Sequence, residues 1–180
     1  MSRPGHWGHV AVWVGTEEEL KELGIWSHPV VVKHRDELRD GRLVVEALRS
    51  GVEMNTIKHF LNVDDIAILR KEDMTKEERA ATVLRVLRQV GKGYDFNFDV
   101  ETTNRIVCSE LVYTTFTGIK WPTEKTLGRA TISPDNVAVK ALDGGPLNIV
   151  RLYHDGRVED KAPLEVMRKL MVKDVTVAKQ

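Results

Sequence analysis

A lone cysteine, six histidines and a carboxylate set inside an apolar run are the side chains of this sequence that could build a nucleophile. Cys108 lies in Ile106-Val107-Cys108-Ser109-Glu110-Leu111-Val112-Tyr113. From there the apolar residues Leu111, Val112, Phe116 and Ile119, with the methyl of Thr115, recur at helical spacing until Gly118 and Pro122 end the pattern. A sulfur at a helix start faces unpaired backbone N–H groups and the positive end of the helix dipole, both of which favour a thiolate. A thiolate attacks acyl carbonyls, so the chemistry on offer is acyl transfer through a thioester. That requires a base for the thiol proton and a third polar group to fix the imidazole and stabilise its cation. A lone cysteine on a helix also fits a small buried hydrophobe.

The base must come from His6, His9, His28, His34, His59 or His154. His28 precedes Pro29 and reads as a loop residue, His34 sits among charges, and His154 adjoins Asp155-Gly156; all three read as solvated. His59 stands between Lys58 and Phe60 with nothing local to fix it. His9 differs: it opens the apolar, β-branched run Val10-Ala11-Val12-Trp13-Val14, where a polar ring is costly unless paired. Glu46, inside Leu43-Val44-Val45 and Ala47-Leu48, has the same character. For His9 the alternative is a structural strand-edge histidine. For Glu46 it is a solvent-facing position at strand period two.

The elements that must carry these residues follow from pattern. Strands are expected at 9–15, 29–33, 43–48, 52–56, 65–70 (buried on both faces) and 147–153, with Ser50-Gly51 turning the third back on the fourth. Thr16 with Glu19, and Thr75 with Glu78, are capping boxes. The first opens a helix stopped by Gly24, the second a helix with the stripe Ala80, Val83, Leu84, Leu87 and Val90, stopped at Gly91. Asp36 to Asp40 reads as a polar turn, and Tyr94 to Asp99 as an aromatic loop. Thr102, Thr103 and Asn104 are possible caps for the Cys108 helix, and Ser133-Pro134-Asp135 opens a short helix to Leu142. The tail holds an amphipathic stretch, Pro163 to Met171, and a β-branched run, Val172 to Ala178.

Composition narrows the classes. A chain of 180 residues suffices for one domain with its own core, and one cysteine excludes an internal disulfide or a multi-cysteine zinc site. Basic and acidic residues balance at 27 each, with no basic run, so nucleic acid is disfavoured as a partner. No apolar run approaches the roughly 20 residues of a spanning helix, and no signal-peptide pattern is present. A soluble cytoplasmic protein is therefore expected, with export left open. The chemistry calls for no cofactor and no metal.

Taken in order, four segments resemble a family. Gly5-His6-Trp7-Gly8-His9-Val10-Ala11-Val12-Trp13-Val14-Gly15, then Val44-Val45-Glu46-Ala47 with Gly51-Val52, then Gly93-Tyr94-Asp95-Phe96, then Cys108-Ser109-Glu110-Leu111-Val112-Tyr113 look like the permuted papain-like amidases of the YiiX and YaeF type, the circularly permuted branch of the NlpC-type peptidase superfamily. The match extends to Ser133-Pro134-Asp135. The resemblance implies Cys108 as nucleophile, His9 as general base and then acid, Glu46 as the orienting group, and Tyr94 lining the substrate cleft or helping to hold the oxyanion, a core or loop aromatic being the alternative; Glu110, two residues past the cysteine on a helix, points away from the cysteine face and reads as structural. It implies an α+β, permuted papain-like fold: an antiparallel sheet of about five or six strands with the nucleophile helix packed across it. One hydrolase domain would span 1–180, its tail 154–180 without a counterpart. A strand that family members carry upstream of the histidine would be supplied by Val172 to Ala178, or lost. The implied activity is cleavage of an amide, cell-wall-peptide-like or other, through a thioester, on a small peptide, amide or acyl substrate. An acyl ester hydrolase or acyltransferase of the lecithin:retinol acyltransferase-like type, and a catalytically idle peptide- or lipid-binding module, are the alternatives.

Overall fold

The computed structural model describes residues 5–94, 105–126, 129–142 and 144–177. Strand β1 (Ala11–Trp13) leads into helix α1 (Glu17–Glu22). The expected capping box opens α1: the Glu19 N–H donates to Thr16 Oγ1 at 3.3 Å, and the Thr16 N–H to the Glu19 carboxylate at 2.7 Å.

Two short helices, α2 (Pro29–Val32) and α3 (Arg35–Arg39), then stand where a strand and a polar turn are expected. Capping outweighs the strand preference of Val30-Val31-Val32. His28 Nδ1 accepts the Val30 N–H at 3.2 Å, Pro29 occupies the first turn, and Val31 turns fully inward.

The hairpin follows as β2 (Val44–Leu48) and β3 (Gly51–Asn55). Gly51 is obligatory there: its φ is 131°, and a Cβ would meet the Lys92 carbonyl oxygen at 2.7 Å. After it come α4 (Ile57–Phe60), β4 (Ile66–Arg70) and α5 (Lys76–Leu87), the last opened by the Thr75 and Glu78 capping box. Then follow β5 (Gly93–Tyr94), β6 (Arg105–Ile106), α6 (Cys108–Thr115), β7 (Glu124–Thr126), β8 (Arg129–Thr131) and α7 (Pro134–Ala138), which tightens into a 3-10 turn, Val139–Ala141. The chain ends in β9 (Asn148–His154), β10 (Arg157–Val158) and α8 (Pro163–Val177). Asp95 to Asp99 and the candidate caps Thr102, Thr103 and Asn104 lie outside the described residues.

The architecture is α+β, but the described strands do not form one sheet of five or six. They make two antiparallel sheets of three, ordered β1-β2-β3 and β10-β9-β4, and two strand pairs, of which β5-β6 is parallel. The first sheet reaches toward β5 through backbone bonds from Val52 N–H to Lys92 O (2.8 Å) and from Gly91 N–H to Val52 O (2.9 Å). β4 is an edge strand, and Ile68 is 45% exposed, so it is not buried on both faces. One face of β1-β2-β3 supplies Val12, Val45, Ala47, Val52 and Met54 to the core, which α5 and α6 fill with Val86, Leu87, Leu111 and Val112.

The tail run from Val172 continues α8 instead of supplying a strand, and Ala178 falls outside the described residues. Packing of one helical face decides this. Met167 is fully buried and Leu170 nearly so, which outweighs a β-branched preference worth a few tenths of a kcal/mol per residue.

Three distant parts of the chain meet at Asp65. His154 Nδ1 lies 2.6 Å from Asp65 Oδ1, and His6 Nε2 lies 3.0 Å from Asp65 Oδ2. The hydrogen bond to Asp65 raises the His154 pKa above its ordinary 6.5. Burial alone would raise Asp65, yet the bond from His154 brings it below 3.8. The charged pair therefore stabilises the fold fully between those two ordinary values. Its contribution fades as pH falls through the lowered Asp65 value or rises through the raised His154 value. Asp65→Asn is expected to lose about 1 kcal/mol near pH 6 and less once alkaline pH has discharged His154, read in urea melts across the pH range.

Candidate active site

Strand register brings His9 and Glu46 together. Ala11 pairs with Glu46, and His9, two residues earlier, shares the face of Ala11 and sits diagonally from the carboxylate. His9 Nε2 and Glu46 Oε2 are 2.8 Å apart. The acid is 3% exposed and the ring 34%, so the pair runs from a buried anchor to an accessible edge.

Cys108 is the other neighbour whose side chain raises the pKa of this ring. Cys108 is the first residue of α6, which packs on β1 and β2, and it is 9% exposed. Val107, at the N-cap, has no side-chain acceptor. The cap comes instead from Glu110, whose Oε2 accepts the Val107 N–H at 2.9 Å. Glu110 is thus folded back onto the helix start. Ser109 Oγ donates to the Ile132 carbonyl at 2.6 Å, and Arg85 Nε donates to the Thr115 carbonyl at 2.8 Å, so both ends of the helix are pinned.

These contacts set the charges. Burial alone would lower the His9 pKa, but its interactions with Cys108 and with Glu46 push it up to about 9. Burial alone would raise Glu46. The bonds from His9 and Asn55 and the charges of His9 and His59 bring it below the ordinary carboxylate value. A ring with its pKa raised so far is charged at neutral pH beside the Glu46 carboxylate, and a charged ring is able to stabilise a nearby thiolate and later deliver a proton.

Tyr94 pairs with Ile106 in the parallel β5-β6 ladder, two positions before Cys108 along the neighbouring strand, and is half-buried against the core. Three residues without a role in the sequence reading also converge here. Asn55 Nδ2 donates to Glu46 Oε1 at 2.9 Å, His59 Nε2 lies 3.7 Å from that oxygen, and the Phe60 ring is 6.1 Å from the His9 ring at a tilt of 46°. The hairpin carried a signal for Asn55, since period two from the Glu46 and Glu53 pair puts Asn55 on the Glu46 face. His59 and Phe60 arrive on α4, whose docking no local pattern announces. Of the histidines read as solvated, His34 is 4% exposed, with burial lowering its pKa. His28 caps α2, and His154 is held by Asp65.

Among the described residues, Asp65, His154 and Asp155 place ligand-type atoms within 4.8 Å of one another. His154 and Asp65 are hydrogen-bonded at 2.6 Å, shorter than the edge of about 3.3 Å of a tetrahedron built on zinc bonds of about 2.0 Å. The group contains none of Cys108, His9 and Glu46. No helix among the described residues is long and apolar enough to cross a membrane.

A family model described as permuted papain-like amidase enzyme, YaeF/YiiX, matches residues 2–174. No curated protein and no solved structure matches the chain. The family match spans nearly the whole sequence, and the chain belongs to this family of cysteine-peptidase-like hydrolases.

Proposed function

We propose that this member of the permuted papain-like amidase family hydrolyses an amide bond of a small peptide-like substrate through a thioester on Cys108, with His9 as base and acid and Glu46 as the orienting group. The observation that carries the reading is the His9 ring hydrogen-bonded to the buried Glu46 carboxylate, on a strand against which the Cys108 helix packs, with Cys108 itself raising the pKa of the ring. With Nε2 engaged by Glu46, Nδ1 is the nitrogen left for the sulfur. The Cys108 thiolate attacks the carbonyl carbon and forms the C–S bond. The backbone N–H of Cys108, at the helix start, is placed to donate to the developing oxyanion. As the C–N bond breaks, the His9 Nδ1 proton passes to the leaving amine. Neutral His9 then takes a proton from water, whose oxygen attacks the thioester, and the sulfur leaves with its electron pair. Tyr94, along the strand beside Cys108, lines the acyl side of the cleft. The tail helix, with Met167 in the core, belongs to the same hydrolase unit.

The test uses p-nitrophenyl acetate and a cell-wall-type peptide amide, each with intact-mass detection. The expected result is one acetyl group on wild-type protein, mapped to Cys108 and released by hydroxylamine, with no adduct on Cys108→Ala. Cleavage of the peptide amide should likewise depend on Cys108. An adduct elsewhere, or none at millimolar ester, would refute the thioester route.

A further inference from the structure

Glu46 accepts from two sides, from His9 and from Asn55, and only His9 is the proposed base. We propose, resting on the reading of Cys108, His9 and Glu46 given above, that Asn55 is a positioning residue. It holds the Glu46 carboxylate in the orientation that serves His9, and His59 is a looser second support on the same oxygen.

The register makes this possible. Glu46 lies opposite Glu53, so Ala11 on β1, with His9 two residues before it, and Asn55 on β3 flank the carboxylate on the same sheet face from opposite sides. Its two oxygens are divided between them: Oε2 to His9 at 2.8 Å, Oε1 to Asn55 Nδ2 at 2.9 Å. Two bonds at opposite edges of one carboxylate fix its terminal torsion, which is otherwise broad. The chemistry of the second donor matters as much as its place. A lysine or arginine on Oε1 would cancel the charge that His9 relies on. An amide donor orients the group, satisfies its buried oxygen and leaves the charge for the histidine. His59 stands 3.7 Å from Oε1 with its side chain 58% exposed, too far for a hydrogen bond and close enough to add its field when charged.

A merely structural Asn55 would hold β3 in register, and its loss would lower stability without moving the titration of His9. The experiment therefore reads three quantities on wild type, Asn55→Ala, Asn55→Asp and Asn55→Ala/His59→Gln. They are the melting temperature, the His9 ring titration by 15N NMR, and the iodoacetamide rate of Cys108 across pH 5 to 9. Asn55→Ala should move the His9 titration down from about 9 by about one unit and slow alkylation at pH 7 by about tenfold. The double variant should fall further. Asn55→Asp keeps the side-chain volume but puts a second carboxylate where the donor was. It should raise the pH at which Glu46 becomes charged and move the acid limb of the alkylation profile upward. Because it is isosteric, it holds the test if the alanine variant unfolds. Unchanged His9 titration and alkylation profiles in the folded variants, with only a lower melting temperature, would overturn the proposal and leave the hydrolase reading standing. If wild-type His9 itself titrates at its ordinary value, the hydrolase reading fails instead, and the role of Asn55 fails with it.

Discussion

Cys108→Ala is expected to abolish cleavage of any amide that the wild-type protein turns over, a loss of at least about ten-thousandfold, while shifting the melting temperature by no more than a few degrees. In a comparable serine enzyme, removing the nucleophile costs about a millionfold and leaves only what binding and the oxyanion donors supply. The small thermal effect follows from the surroundings. Cys108 is 9% exposed among apolar neighbours, alanine keeps its β-carbon, and α6 remains anchored by Glu110, Ser109 and Arg85. A cysteine present only to fill the core predicts the reverse pattern, a loss of stability with turnover unaltered. Wild type and Cys108→Ala should be assayed on the peptide amide and melted in parallel.

The second large effect is expected for Glu46→Gln, about a hundred- to ten-thousandfold in turnover at pH 7 with the fold retained. The carboxylate stabilises the His9 cation. Cys108 still raises the His9 pKa in the neutral isostere, but losing the Glu46 contribution should lower it from about 9, so the alkaline limb of hydrolysis should retreat from about pH 9 toward neutrality. Leaving-group protonation needs the charged ring, whereas alkylation needs only the thiolate. Above pH 9 wild-type hydrolysis should therefore decline while alkylation continues. The amide that Glu46→Gln introduces can still be accommodated, because Asn55 can turn its own amide to accept from it. A comparable acid on the neighbouring strand, Glu53, makes a poor control because it lies directly opposite Glu46 in the hairpin register. Glu22, exposed on α1, is the better one, and Glu22→Gln should leave both profiles in place.

Much of this site was legible because its signals are local. Capping boxes at Thr16 and Thr75 marked two helices, Gly51 marked the hairpin, and the apolar periodicity after Val107 put Cys108 at a helix start. His9 and Glu46 stood out as polar groups inside apolar runs, where burial demands a partner, and the structure pairs them with each other. What escaped depends on contacts distant in sequence. The division into two sheets follows from β4 pairing with β9, which no turn signal links. Helix α2 rests on a histidine cap that Val30-Val31-Val32 conceals, and α8 continues through a β-branched run because Met167 is packed beneath it. Asn55 could have been found from hairpin register; His59 and Phe60 needed the placement of α4.

The rate of Cys108 alkylation by iodoacetamide at pH 6, resolved by intact mass, tests most directly whether Cys108, His9 and Glu46 act as one unit. The lone cysteine makes the reading unambiguous. A free thiol, with its ordinary value near 8.5, is almost wholly protonated there and reacts slowly. A sulfur beside a histidine that stays charged to about pH 9 should react at least tenfold faster than a free thiol, and His9→Ala should bring it most of the way back toward the free-thiol rate, the helix start supplying what remains. Wild-type protein alkylating at or below the free-thiol rate, or His9→Ala alkylating as fast as wild type, would contradict the account.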